Sequence, residues 1–255
     1  MDKIKVIYYY ARVSLLILLL ISNNTLYAEN ETEGPIQEVF RSDLVFPQEK
    51  GEIQFTAAPY YLNFESGGSE LFFPLGIEYG LTDSWQFELE ADSRLWHKNA
   101  VESSGNSFVQ YELSTMYSFM NILDSDFHSA LGIEVEHSTA TAEETTQYGL
   151  SLILAKTLPS VRNAQVFGQY LLEFEEAEIS GEGNIGFYLP LGVVTFTSEL
   201  NIREVDENSI LYSTNGLIWA PKSNINAGIG LSANLSADHS MIGIYSIFVY
   251  EFDLN

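Results

Sequence analysis

The chain has 255 residues and no cysteine, and its 11 Lys+Arg against 35 Asp+Glu give a formal net charge of −24. So acidic a chain offers no basic footprint for phosphates, which excludes nucleic acid as a partner. Lack of cysteine excludes disulfides, thiolate chemistry and a lipid-modified cysteine, and the 13% aromatic content argues against disorder.

Lys3, Lys5 and Arg12 precede the apolar run from Val13 to Ile21, and Thr25-Leu26-Tyr27-Ala28 offers a cut after Ala28. That is the plan of a secretory signal, although Leu26 stands where a smaller residue is usual. The run is shorter than the roughly 20 apolar residues of a membrane helix; a retained N-terminal anchor is the alternative. The expected division is a signal peptide over 1–28, a periplasmic N-terminal segment over 29–50 and a barrel over 51–255. Removing 1–28 takes away three basic residues and one acidic, leaving 8 against 34 and a net charge of −26.

From residue 51 onward one unit recurs: about ten residues of alternating character, then a turn-rich break. A weak version covers 52–63. Next, Leu71, Phe73, Leu75, Ile77 and Tyr79 share a face, with Pro74 on the other predicted to cost one ladder bond and to mark a bulge or locally frayed pairing. Trp85, Phe87, Leu89 and Ala91 alternate with Gln86, Glu88, Glu90 and Asp92. After a weaker unit at 108–119, Leu131, Ile133 and Val135 alternate with Gly132, Glu134 and Glu136. Units near 147–156, 164–175 and 182–189 lead to Val194, Phe196, Leu200 and Ile202, a face broken by Ser198. The chain closes with 209–219, the regular run Asn224–Leu235, and Ile242, Ile244, Phe248, Tyr250 and Phe252, interrupted by Ser246. Period two puts each set on one side of a sheet.

The prediction is an all-β chain: a single transmembrane antiparallel up-and-down barrel of about 12 strands. A large β-sandwich or a lipocalin-like barrel would also alternate. Two features favour the membrane. Aromatics gather at strand ends (Tyr60, Tyr61, Tyr79, Trp85, Trp96, Tyr117, Phe119, Tyr148, Phe187, Tyr188, Trp219 and Phe252), as in interfacial girdles. Tight turns such as Gly80–Ser84, Leu158–Ser160 and Ala220–Ser223 alternate with expected outer loops of roughly 5–11 residues, and an even strand count then brings both ends to the periplasmic side.

In such a barrel the polar face becomes the lumen. The alternation assigns to it Glu78, Glu88, Glu90, Asp92, Arg94, Glu112, Glu134, Glu136, Glu173, Glu182, Glu199 and Arg203. Rings of Asp and Glu favour cations over anions, so the functional expectation is an outer-membrane channel for small solutes that disfavours anions. The alternative is a structural or surface-interaction barrel whose side chains fill the lumen.

Catalysis has little support. Glu88, Glu90 and Asp92 share a face with a spacing of about 6.6 Å, which a solvated ladder explains as well as acid–base work. His128-Ser129 and His137-Ser138 point to opposite faces and form no nucleophile–base pair; a lipid-modifying enzyme using His137 and a serine on an adjacent strand is the least favoured reading. No HxH or HExxH spacing points to a metal, and no cofactor is expected. The acidic run Glu173–Glu178 leads into an outer loop and would be solvated or hold divalent cations at lipopolysaccharide.

Leu44-Val45-Phe46-Pro47-Gln48-Glu49-Lys50-Gly51 and Tyr79-Gly80-Leu81-Thr82-Asp83-Ser84-Trp85 together resemble the opening strand and periplasmic turn of the phenol-degradation (MetA-type) pathway family of outer-membrane proteins. The resemblance implies a barrel of about this length with a transporter role, and brings no catalytic residues. The end departs from the usual aromatic finish, since Phe252 is followed by Asp253-Leu254-Asn255. Expected partners are outer-membrane lipid and lipopolysaccharide, the barrel-assembly machinery and an unidentified small solute, and the expected location is the bacterial outer membrane.

Overall fold

A computed structural model describes residues 39–65, 67–98, 103–122, 125–139, 144–175, 178–205, 208–236 and 241–254. The expected signal peptide over 1–28, the stretch 29–38 and His239 lie outside the described residues.

The alternating units form thirteen strand segments in one antiparallel sheet that closes on itself. β1 (Glu52–Ala57) and β2 (Tyr60–Phe64) are the two halves of one wall strand, since both pair with β3 (Ser69–Thr82) on one side and with β13 (Met241–Asp253) on the other. The barrel therefore has twelve strands. Between lie β4 (Trp85–Lys98), β5 (Ser103–Phe119), β6 (Phe127–Ser138), β7 (Thr145–Leu158), β8 (Ala164–Glu175), β9 (Glu178–Pro190), β10 (Val194–Val205), β11 (Asn208–Lys222) and β12 (Ile225–Asn234), each paired with its sequence neighbours. Closure leaves no unpaired edge, which hydrocarbon demands of a spanning sheet. Fourteen residues, as in β7, rise about 35 Å at the tilt usual in barrels, enough to cross a bilayer core.

The outer face is a belt of exposed large apolar side chains that includes Leu89, Leu113, Ile133, Leu152, Ile185, Ile229 and Ile244. Aromatics cluster toward its margins. Trp85 and Phe87 lie against each other, as do Tyr117 and Phe119, near the rim where the chain ends; Tyr111, Tyr148 and Phe174 stand exposed toward the other rim. Two of the aromatics expected in the girdles are inside instead: Tyr188 is buried, and Tyr60 stacks on Tyr245 and Phe72. Their alternation places them on the inner face, and a list of strand-end aromatics does not register that.

Of the two expectations at Pro74, the locally frayed pairing is found: Pro74 keeps its register opposite Asp92, while on its other side the ladder is interrupted at Ala58-Pro59, whose groups still pair as Ala58 N–H to Pro74 O and Ser246 N–H to Pro59 O. Register shifts fall between Leu71 and Phe72 and between Asp92 and Ser93. The anticipated short–long rhythm of connections is absent, because the acidic stretches assigned to loops are largely strand: β8 runs to Glu175 and β9 begins at Glu178, and β10 runs to Val205 with β11 beginning at Asn208.

Candidate functional site: the inner wall and the segment inside it

The segment expected in the periplasm over 29–50 is, in its described part, inside the barrel. Gly51 is tied to the terminal rim by its N–H to Gly80 O and by Leu254 N–H to Gly51 O. Going backward from that point the chain runs along the inner wall. Gln48 is buried; its N–H donates to Gln86 Oε1 and its amide to Gln54 Oε1, at 2.9 and 2.8 Å. A Cβ at Gly80 would collide with the backbone oxygens of Glu49 and Gln48, so glycine is required for this close approach. The two stretches that carry the family resemblance thus pack on each other.

Further in, Leu44 and Val45 are fully buried, and they cluster with Val39, Met116, Ala130, Ile153, Ala155, Phe167, Tyr188 and Ile218, with Phe40 and Phe46 packed alongside. Phe46 also lies against the His128 ring, 5.4 Å between centroids. Phe40 sits on a patch of wall without side chains, formed by Gly216, Gly228 and Gly230. The half of the barrel next to the terminal rim therefore has a filled interior, an apolar core beside the buried polar cluster of Gln48, Gln54, Glu78 and Gln86. Periodicity alone missed it, since apolar residues on both faces erase the alternation. The sequence signal that was available is the apolar run Leu44-Val45-Phe46 ahead of the first strand.

Polar contacts fix the segment where it reaches deepest. Ser42 Oγ donates to Glu199 at 2.8 Å, Arg41 donates to Tyr245 Oη at 2.8 Å, and Gln169 Nε2 donates to Asp43 at 3.2 Å. The Arg41 guanidinium lies over the Tyr212 ring at 4.8 Å and the Tyr245 ring at 5.7 Å.

Each residue assigned to the lumen has a definite place. Glu78 is buried, and its carboxylate accepts from Gln54 and Gln86. Glu88 accepts from Ser114 at 3.2 Å. Asp92 is buried and accepts from Tyr60 Oη at 3.4 Å. Arg94 reaches Glu70 at 3.8 Å, a carboxylate that also contacts His97 at 2.8 Å. Glu173 is buried, accepts from Ser180, and lies 3.8 Å from Arg203, which is 3.9 Å from Glu182. Glu199 is buried against the segment. Glu90, Glu112 and Glu136 fall into one row, for the register pairs Glu90 with Glu112 and Glu112 with Glu136 directly across β4, β5 and β6. The same row continues through Gln147 on β7 to Glu175 on β8 and Glu178 on β9. One row closer to the terminal rim, Glu134 stands opposite Ser114 and Gly149, and a Cβ at Gly149 would strike its carboxylate.

Among the described residues no group of three or more His, Asp or Glu is arranged to hold a metal ion. His137 Nδ1 lies 3.2 Å from Thr146 Oγ1.

No protein-family model matches the chain, and no curated protein matches it. Solved structures do. The KdgM porin superposes with a TM-score of 0.55 at 13% identity, over 77% of this chain and 99% of that one. The NanC porin gives 0.56 at 10% identity, over 77% and 98%. The β domain of the Bordetella autotransporter BrkA gives 0.50 at 10% identity, over 79% and 99%. At these identities the likeness is one of fold. The fold and the apolar belt define a porin-like barrel of the bacterial outer membrane.

Proposed function

We propose that the barrel is a channel for small solutes whose inner wall disfavours anions. The observation that carries this reading is the row Glu90–Glu112–Glu136. Like charges directly opposite on paired strands destabilise the pairing, so a wall with three in succession accepts a cost that a filler of neutral side chains would avoid. A ring of carboxylates at a constriction concentrates cations and repels anions. One of the similar barrels, KdgM, has been crystallised with oligogalacturonate, itself a polyanion; the wall described here has the wrong sign for such a solute.

The test is the reversal potential of the reconstituted protein in a salt gradient, for wild type and for Glu112→Gln with Glu136→Gln. Cation preference that falls in the double variant supports the reading, and anion preference in the wild type overturns it.

A second reading, a barrel filled for structural reasons, is favoured by the segment from Val39 to Glu49 in the interior. It predicts no ion conductance from the wild type or from variants that loosen that segment.

A further inference from the structure

Arg41, in the described part of the inner segment, has its charge received by a built site. Its guanidinium carbon lies over the Tyr212 ring, its Nη1 donates to Tyr245 Oη, and Glu182 and Glu199 are within Coulombic reach. Tyr245 is itself held, stacked on Tyr60 with 5.2 Å between centroids. Aromatic faces, a phenolic acceptor and carboxylates together are the groups that recognise a planar cation. All of them belong to the wall, on β9, β10, β11 and β13; only the cation belongs to the segment.

The position of the site matters as well. On one side lies the apolar interior around Leu44, Val45 and Phe167. On the other stand Glu182 and Glu173 with Arg203 between them, and the carboxylate row of β4 to β6. A cation entering past those carboxylates meets the Arg41 cradle where the acidic wall gives way to the apolar one. The segment has no covalent tie there. Arg41 is held by side-chain contacts, by a bond from Asn184 Nδ2 to its carbonyl at 3.5 Å, and by its backbone N–H, which with that of Phe40 donates to the Glu199 carboxylate.

We infer that the Tyr212–Tyr245–Glu199–Glu182 cradle is a binding site for guanidinium-bearing solutes, and that Arg41 occupies it as an internal surrogate that such a solute displaces. This rests on the channel reading for its purpose but not for its chemistry. An arginine-like solute would gain the contacts Arg41 loses, so the two compete at one site, and release of Arg41 loosens the part of the segment that reaches deepest.

The probe is methylguanidinium, with urea as the planar uncharged control, added to the full-length protein in detergent micelles and followed by saturation-transfer NMR. Arg41→Ala is expected to bind methylguanidinium on the order of tenfold more tightly than wild type, since the competitor is gone. Adding Glu199→Gln or Tyr212→Leu to Arg41→Ala is expected to cost on the order of tenfold; the two changes differ in charge, so both losing affinity marks the site rather than a charge effect. Heat-modifiable gel mobility reports that each variant is a folded barrel. Equal binding by wild type and Arg41→Ala, indifference to both added changes, or equal binding of urea overturns the inference. A conductance arm separates the two proposals. If Arg41→Ala conducts and methylguanidinium does not block it, the inference fails and the channel stands. If neither protein conducts while the binding pattern holds, the channel reading fails and the site stands.

Discussion

Phe40 and the glycines beneath it show how a single side chain is accommodated inside a barrel. A ring can lie flat on a sheet only where the inner positions carry no Cβ, and Gly216, Gly228 and Gly230 supply that floor on two adjacent strands, β11 and β12. At Gly230 the three atoms nearest to an added Cβ are all in the Phe40 ring, at 3.0 to 3.1 Å, whereas at Gly216 one is the Ile229 carbonyl. Gly230→Ala therefore tests the contact with Phe40 and little else. It is expected to destabilise the protein by roughly 1–3 kcal/mol through overpacking, and by clearly less when Phe40→Ala is already present, because neighbours that touch are not additive. Urea unfolding of the four proteins of the cycle in detergent measures it; equal costs in both backgrounds would show that Phe40 does not rest there. Phe40 was not visible as a functional residue in the sequence, where it is one aromatic outside any alternating run.

Strands were the legible element, and the reason they were legible also set the limit. Trp85 to Asp92 keeps a clean period of two because its inner face is polar and its outer face is apolar, so both the element and its orientation follow from the pattern. Ser151-Leu152-Ile153-Leu154-Ala155 does not, because Ile153 and Ala155 face the core inside the barrel while Leu152 and Leu154 face lipid. A strand apolar on both faces reads as a continuous run, and the same holds for Ile247-Phe248-Val249-Tyr250 in β13. The carboxylates of the inner wall were recoverable by counting in twos; their alignment into a row was not, since register is a tertiary property. Orientation to lipid gives a prediction at this scale. Ile133 lies mid-strand in β6 and is 61% exposed, while Ile179 is second in β9 and 69% exposed. Arginine at 133 should cost about 2–4 kcal/mol and at 179 about 0–1, the depth dependence of a lipid-facing site. Unfolding in phospholipid vesicles reads both, and equal small costs would place position 133 outside the hydrocarbon.

At the scale of the whole molecule, the barrel and its contents are held by different interactions. The wall closes through backbone pairing, the last link being β1 and β2 with β13, and none of those bonds involves the segment before Gly51. That segment is retained by the burial of Leu44 and Val45 and by a few polar contacts. Two charges placed on it should therefore expel it without opening the wall, because an unpaired buried carboxylate costs more than the segment gains by staying. The double variant Leu44→Asp with Val45→Asp is expected to keep the heat-modifiable mobility of a closed barrel. Trypsin should then cut at Arg41 or Lys50 far faster than in wild type, since a released segment is open to protease at the terminal rim. Single-channel conductance should rise in the same protein if the segment is what obstructs the passage. Cleavage without a rise in conductance would mean that the wall itself is the barrier, and the filled-barrel reading would then replace the channel. Loss of the heat-modifiable form would show instead that the segment is needed for closure, contrary to the independence of its contacts from the strand ladder.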